Sequence, residues 1–160
     1  MSGTSFGALF DDVLYPSVKQ ENLVKGQIIK MELFNTDGLK LKNGNTERYK
    51  RFVIVGFTPD GKVLCTALIN SECHVKNPDV RACNILLKQS DYSGTLIHDS
   101  WLNCSQLFEL DKNRVLKEGK NHGALLEKDY KKVQDCFKNT NVITEADKEY
   151  YGLIDEEQCE

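Results

Sequence analysis

The chain has 160 residues, 40% of them hydrophobic, enough to bury one core and to set the expectation of a single globular domain with appendages. The formal net charge is −3, so nothing in the bulk balance advertises nucleic acid, and any RNA contact must come from a local basic loop. No apolar run approaches the ~20 residues that span a bilayer, and no charged-then-apolar leader opens the chain, so the expectation is a cytoplasmic protein without membrane attachment.

Residues 1–25 read as an N-terminal extension. Gly3 and Gly7 accompany a mildly apolar stretch from Phe6 to Tyr15, which Pro16 breaks, and a short helix is expected over 10–14. Ile28, Ile29, Met31 and Leu33 make 26–34 a strand. Residues 35–50 are polar and carry the turn signals Asp37-Gly38 and Asn43-Gly44. This stretch gathers Lys40, Lys42, Arg48 and Lys50, with Arg51 at its end, and reads as a solvated basic loop. Thr58-Pro59-Asp60-Gly61 is the clearest hairpin signal, joining strands over 52–57 and 63–69.

A long polar connection, 70–82, leads to strands over 84–88 and 100–104, with the turn Ser90-Asp91-Tyr92-Ser93-Gly94 between them. Gln106 precedes an apolar-acidic turn over 107–110, and a further strand is expected to start at Arg114-Val115-Leu116. Asn121-His122-Gly123 leads into an amphipathic helix over 124–138, in which Leu125, Leu126, Tyr130, Val133 and Phe137 recur at helical spacing. Thr144, with Asp147 three residues on, starts a second, shorter helix. The acidic end, 155–160, reads as disordered. The expected organisation is therefore a main domain over 26–138 and a C-terminal extension over 139–160. Short strands closed by a C-terminal helix give a mainly β, α+β class and fit a small SH3-like β-barrel.

Of the six cysteines, Cys65, Cys83, Cys104 and Cys136 fall inside apolar patterns, where a free thiol behaves as a small core residue. Cys73-His74, with Cys83 ten residues on, is the one cluster whose composition suits a metal, but it lacks the paired spacing of a zinc site. No metal and no cofactor are expected.

The order of these pieces resembles the MazF/PemK family of toxin ribonucleases from toxin–antitoxin pairs. Gly26-Gln-Ile-Ile-Lys-Met-Glu-Leu-Phe resembles the family's first strand, and Lys50-Arg51-Phe-Val-Ile-Val-Gly its second. Val63-Leu-Cys-Thr-Ala-Leu-Ile resembles the third and Asn84-Ile-Leu-Leu-Lys the fourth. The stretch 99–116 resembles the fifth strand with its Gln, followed by a last strand and helix. The likeness covers 26–137. It implies an SH3-like barrel of the MazF/PemK type and a homodimer with an RNA groove. It also implies an antitoxin protein as partner and metal-independent, sequence-selective cleavage of single-stranded RNA to 2′,3′-cyclic phosphate ends.

Such cleavage needs a base for the 2′-hydroxyl, a cation for the charge growing on phosphorus, and a proton for the leaving 5′-oxygen. By resemblance Arg51 is the cation, since a guanidinium holds two phosphate oxygens at once. The third-strand hydroxyl falls at Ile69, Asn70 or Ser71, of which Ser71 has the right chemistry and Asn70 can hydrogen-bond. Lys40, Lys42, Arg48 and Lys50 would border the groove, with Gln106 and Phe108 from the fifth strand. The chain departs from the family at three places. Ser105 stands where an acid is expected, Phe108 where a basic residue is expected, and Phe52 where a proline follows the arginine. Phe108 can stack a base but cannot hold a phosphate. His98, with Asp99, is then the candidate for a displaced acid/base pair, while Trp101 reads as core or dimer interface. The alternative reading is a non-catalytic binding module of the same fold that takes a partner protein, a nucleic acid or a phosphorylated ligand. A decoy that captures an antitoxin is a third.

Overall fold

In the computed structural model, the described residues are 23–39 and 47–156. The helix expected over 10–14, Lys40, Lys42, Asn43-Gly44 and residues 157–160 lie outside them. The fold is mainly β, with six strands in one antiparallel sheet: β1 (Gln27–Phe34), β2 (Glu47–Phe57), β3 (Val63–Asn70), β4 (Asn84–Leu87), β5 (Ser100–Asp111) and β6 (Lys120–Ala124). They lie in the order β4-β5-β3-β2-β1-β6. Among the described residues, four α-helices accompany them: α1 (Pro78–Arg81), α2 (Lys112–Glu118), α3 (Glu127–Asn139) and α4 (Glu145–Tyr150). No helix among the described residues is long and apolar enough to cross a membrane.

Strand alternation explains β1 directly. Ile29, Met31 and Leu33 bury one face, while Ile28 buries the other beside the half-exposed Lys30 and Glu32. The central strand β3, VLCTALIN, is apolar on both faces because both are covered. Cys65, Ala67 and Ile69 join one core with Val53, Leu102, Val133 and Phe137. Leu64 and Leu68 join a second with Ile29, Met31, Phe52, Leu110 and Val115. Thr58-Pro59-Asp60-Gly61 turns as expected, with Gly61 N–H donating to the Thr58 carbonyl at 2.8 Å.

Five expectations require correction. Residues 47–50, expected as the end of a basic loop, are the first residues of β2, with Arg48 opposite Leu33 and Lys50 opposite Met31 of β1. The SH3-like barrel does not close: β4 and β6 end the ladder, and no ladder among the described residues joins them. Residues 107–110 are strand, not turn. The β3–β5 register jumps from Ala67↔Leu107 to Leu68↔Asn103, so Cys104, Ser105 and Gln106 form a bulge that re-phases β5 and buries Leu110. Arg114-Val115-Leu116 is helix, because the Asp111 side chain caps α2 by accepting from Arg114 N–H at 3.0 Å. The last strand is instead β6, which begins just after Gly119. Finally, α3 starts at Glu127, so Leu126 is its 40%-exposed N-cap and not part of the packed face. Beyond α3, Thr144 caps α4 as its spacing predicts, accepting from Asp147 N–H at 3.1 Å, and Ile143 and Leu153 enter the first core.

The described cysteines carry free thiols, with Cys65, Cys83 and Cys104 buried. Burial, then the nearby Glu109 and Asp147 charges, pushes the Cys65 thiol up to about 12, and burial raises Cys104 as well. Only the thiolate is a good nucleophile. Iodoacetamide at pH 8 is therefore expected to alkylate the half-buried Cys73 in the native protein. Cys65 and Cys104 should label only after denaturation, as peptide mass spectrometry would show.

Candidate functional site

The N-terminal half of β2 and the C-terminal end of β3 come together with the loop ahead of β5, and two adjoining clefts open there. A cleft of about 220 Å³ is lined by Arg51, Ser71 and His98, together with Arg48, Tyr49, Lys50, Asn70 and Ile97. The second cleft, about 380 Å³, shares Arg48, Lys50, Asn70 and Ser71 and adds Asn103, Gln106 and Phe108. All the candidate residues that fall among the described ones thus border one or both clefts. A larger groove of about 620 Å³ lies between β4 and α3, with Cys83, Trp101 and Cys136 on its walls, but it holds none of the candidate residues.

Alternation along β2 divides the basic residues. Arg51 projects on the face of Val53, which belongs to the first core, while Lys50 and Arg48 share the face of Phe52 and Ile54. Lys50 Nζ donates to Asn70 Oδ1 at 3.4 Å, tying the basic strand to the end of β3. The Arg51 Nε is buried and, among the described residues, has no hydrogen-bond partner. A buried donor left unsatisfied costs ~1–3 kcal/mol, more for a charged group. Directly opposite Arg51 on β1 stands Lys30, also half-buried, and like charges directly opposed destabilise a sheet. Among the described residues, no carboxylate lines the 220 Å³ cleft. The arrangement is one that a bound anion would relieve.

His98 is exposed, and its ring is held by its neighbours. Nδ1 lies 2.9 Å from the Asp99 carbonyl. A carbonyl only accepts, so Nδ1 carries the proton and Nε2 is left with the lone pair of a general base. The Asp99 carboxylate does not pair with the ring, since its Oδ1 accepts from Gln89 N–H at 2.8 Å. The Asp99 carboxylate therefore does not face His98 as an acid/base partner, and only the Asp99 carbonyl contacts the ring. Ser71, just past β3, is exposed.

In the second cleft, the two departures from the family pattern have local roles. Ser105 donates from Oγ to Asn103 Oδ1 at 2.5 Å, and its N–H donates to the same oxygen at 3.0 Å, which shapes the β5 bulge. Phe108 packs on the second core, its carbonyl accepting from Thr66 Oγ1 at 3.0 Å. Gln106 projects from the bulge and is exposed. Of the composition cluster Cys73-His74/Cys83, His74 Nε2 pairs with the Glu72 carboxylate at 2.8 Å. Cys83 Sγ donates to Thr140 Oγ1 at 3.2 Å. Among the described residues, no three His, Cys, Asp or Glu side chains are grouped to hold a metal.

Several contributors were not identified from the sequence. Lys30 faces Arg51 only through the β1–β2 register. Tyr49 was passed over although it lies two residues before Arg51, on the same face of β2. His122 is buried in β6, and its carbonyl accepts from Thr95 Oγ1 at 3.1 Å, which anchors the loop leading to His98. Burial, then the Arg51 and Lys30 charges, lowers the His122 pKa from 6.5 to about 4. Between those values the unfolded chain binds a proton that the folded chain refuses. Stability is thus expected to fall as pH drops from 6.5 to 4. His122→Gln should flatten that part of the pH dependence, measurable as urea midpoints across the range.

No protein-family model matches the chain, and no curated protein matches it in sequence.

Proposed function

We propose that this chain is a MazF/PemK-like, metal-independent endoribonuclease that cuts single-stranded RNA in the cytoplasm. In this reading it is a homodimer restrained by an antitoxin protein, and its six-stranded sheet is an open variant of the family's SH3-like barrel. The observation that carries the reading is the meeting of Arg51, Ser71 and His98 on one cleft, with the Arg51 Nε buried and unpartnered. His98 Nε2 takes the proton from the 2′-hydroxyl. The 2′-oxygen attacks phosphorus, the bond to the 5′-oxygen breaks, and a water protonates the leaving oxygen. The products are a 2′,3′-cyclic phosphate and a 5′-hydroxyl. Arg51 stabilises the charge that develops on the nonbridging oxygens, and Ser71 donates to one of them. Arg48, Lys50 and Asn70 hold the flanking backbone, with Gln106 and Phe108 beside it; Lys40 and Lys42 belong to the same basic stretch.

A second reading has its own support. Ser105 is committed to Asn103 and Phe108 is packed on the core, so the family's acid and basic residue have no substitute at those positions. That favours a module that binds RNA, a phosphorylated ligand or a partner without cutting. Incubation with a long single-stranded RNA in EDTA separates the two. Discrete cuts with cyclic phosphate ends support the enzyme, whereas binding without cuts supports the module.

A further inference from the structure

Among the described residues, the two most exposed of the large apolar side chains flank the same cationic cleft. Ile97 is 84% exposed and Tyr49 is 64% exposed, and both line the 220 Å³ cleft that holds Arg48, Lys50 and Arg51. A single apolar side chain in water is ordinary, but here two stand over one groove with a cationic wall. Neither is a loose end. Tyr49 is set by strand register, on the Arg51 face and opposite Glu32 of β1. Ile97 follows the buried Leu96, on a loop that Thr95 pins to the His122 carbonyl.

The chemistry that suits this edge is a flat, apolar ring attached to an anionic backbone. Aromatic side chains stack unpaired bases, and neighbouring cations take the phosphates. The field around Tyr49 also gives direction. Its other side lines a pocket with Glu32, Phe34 and Glu118; Glu118 pairs with Arg114 at 3.1 Å, and the Glu32 carboxylate turns a phosphate chain toward the Arg48–Arg51 side.

We propose that Tyr49 and Ile97 hold one unpaired nucleobase of the RNA beside the phosphate at Arg51, making Tyr49 a specificity-determining residue. The proposal rests on the ribonuclease reading and adds to it the base subsite next to the cut.

The test uses the full chain and a fluorescent 2′-O-methyl oligoribonucleotide, which binds but lacks the attacking hydroxyl. Tyr49→Ala is expected to weaken binding by on the order of tenfold, with the salt dependence unchanged because no phosphate contact is lost. Tyr49→Phe should retain affinity, and Ile97→Ser should weaken it. Sequencing of cut ends should show that Tyr49→Ala relaxes base preference at one position next to the cut and preserves it elsewhere. Unchanged affinity and unchanged cut preference in a folded Tyr49→Ala protein would overturn the subsite while leaving the ribonuclease reading intact. Unchanged affinity for RNA with loss of antitoxin binding would assign the pair to a protein interface, and also overturns it. Wild-type protein that neither binds nor cuts RNA removes both readings together.

Discussion

Arg51→Ala is expected to lower metal-free RNA cleavage by on the order of a hundredfold or more, because deleting one preorganised transition-state donor typically costs ~3–4 kcal/mol. The argument rests on the half-buried guanidinium whose Nε has no partner and whose cross-strand neighbour is Lys30. Both features cost stability in the free protein and are relieved when negative charge arrives. Arg51→Ala should therefore fold at least as well as wild type, and any loss of activity cannot be blamed on unfolding. Arg51→Lys is expected to rescue little, since an ammonium cannot bridge two phosphate oxygens. His98→Gln should lower the rate, since an amide cannot take the 2′-hydroxyl proton. Cleavage rates in EDTA with matched thermal midpoints check all three. A folded Arg51→Ala protein that cuts at the wild-type rate would remove the assigned role of Arg51.

The same comparison bears on the departures at Ser105 and Phe108. Ser105→Asp with Phe108→Arg restores the family's letters, and activity should rise if the positions align. The bulge complicates the exchange. Ser105 Oγ donates to Asn103 Oδ1, and an Asp carboxylate placed there would face an acceptor instead of supplying a donor. Ser105→Asp alone is thus expected to perturb the turn of β5 before it contributes a base, and the double variant is the fairer test.

What was legible in the sequence divides along the same physical line. β1 follows from alternation, β3 and β2 from Phe52 onward from continuous apolar runs, and their hairpin from Thr58-Pro59-Asp60-Gly61, all local signals, whereas residues 47–50 of β2 are too polar to read as strand. β5 was cut short because Ser105 and Gln106 interrupt an apolar run, and only pairing with β3 reveals that the strand continues through a bulge. Val115 between Arg114 and Leu116 resembles a strand start by β-propensity. The Asp111 cap three residues before Arg114 outweighs that preference, and the signal was present to be read. β6 is short and polar, with His122 its sole buried residue, so no periodicity marks it. In the site, Arg51, Ser71, Asn70 and the basic stretch with Arg48 and Lys50 were reached through resemblance, and His98 through its own chemistry where the chain departs from the family's acid. Lys30 and His122 were out of reach, because their approach to Arg51 depends on registers across three strands, including a shift between Gln27 and Ile29.

Val133→Asp is expected to destabilise the protein by several kcal/mol, a large share of the ~5–15 kcal/mol that holds a domain folded. Val133 is 1% exposed at the centre of the α3 face, among Ile28, Val53, Leu125 and Phe137 in the first core. The neighbouring polar groups are engaged: Asp129 Oδ2 accepts from Tyr92 O–H at 2.5 Å. Gln134 Nε2 donates to the Leu153 carbonyl at 2.8 Å. The introduced carboxylate is therefore left without a committed donor, and its pKa in the folded state must rise. The sign of the pH dependence follows. With the folded pKa above the unfolded value of about 3.9, the deficit relative to wild type grows as pH rises from the unfolded value through the folded one. It should be smallest near pH 4 and largest at neutral pH. Phe137→Ala supplies the contrast, since it removes volume without charge: a cost of ~3–5 kcal/mol is expected, and its deficit relative to wild type should not change with pH. Urea midpoints for both variants at pH 4 and pH 7 measure the difference. A Val133→Asp deficit that is constant with pH would mean the carboxylate reaches water, and that α3 does not pack on the sheet through this face.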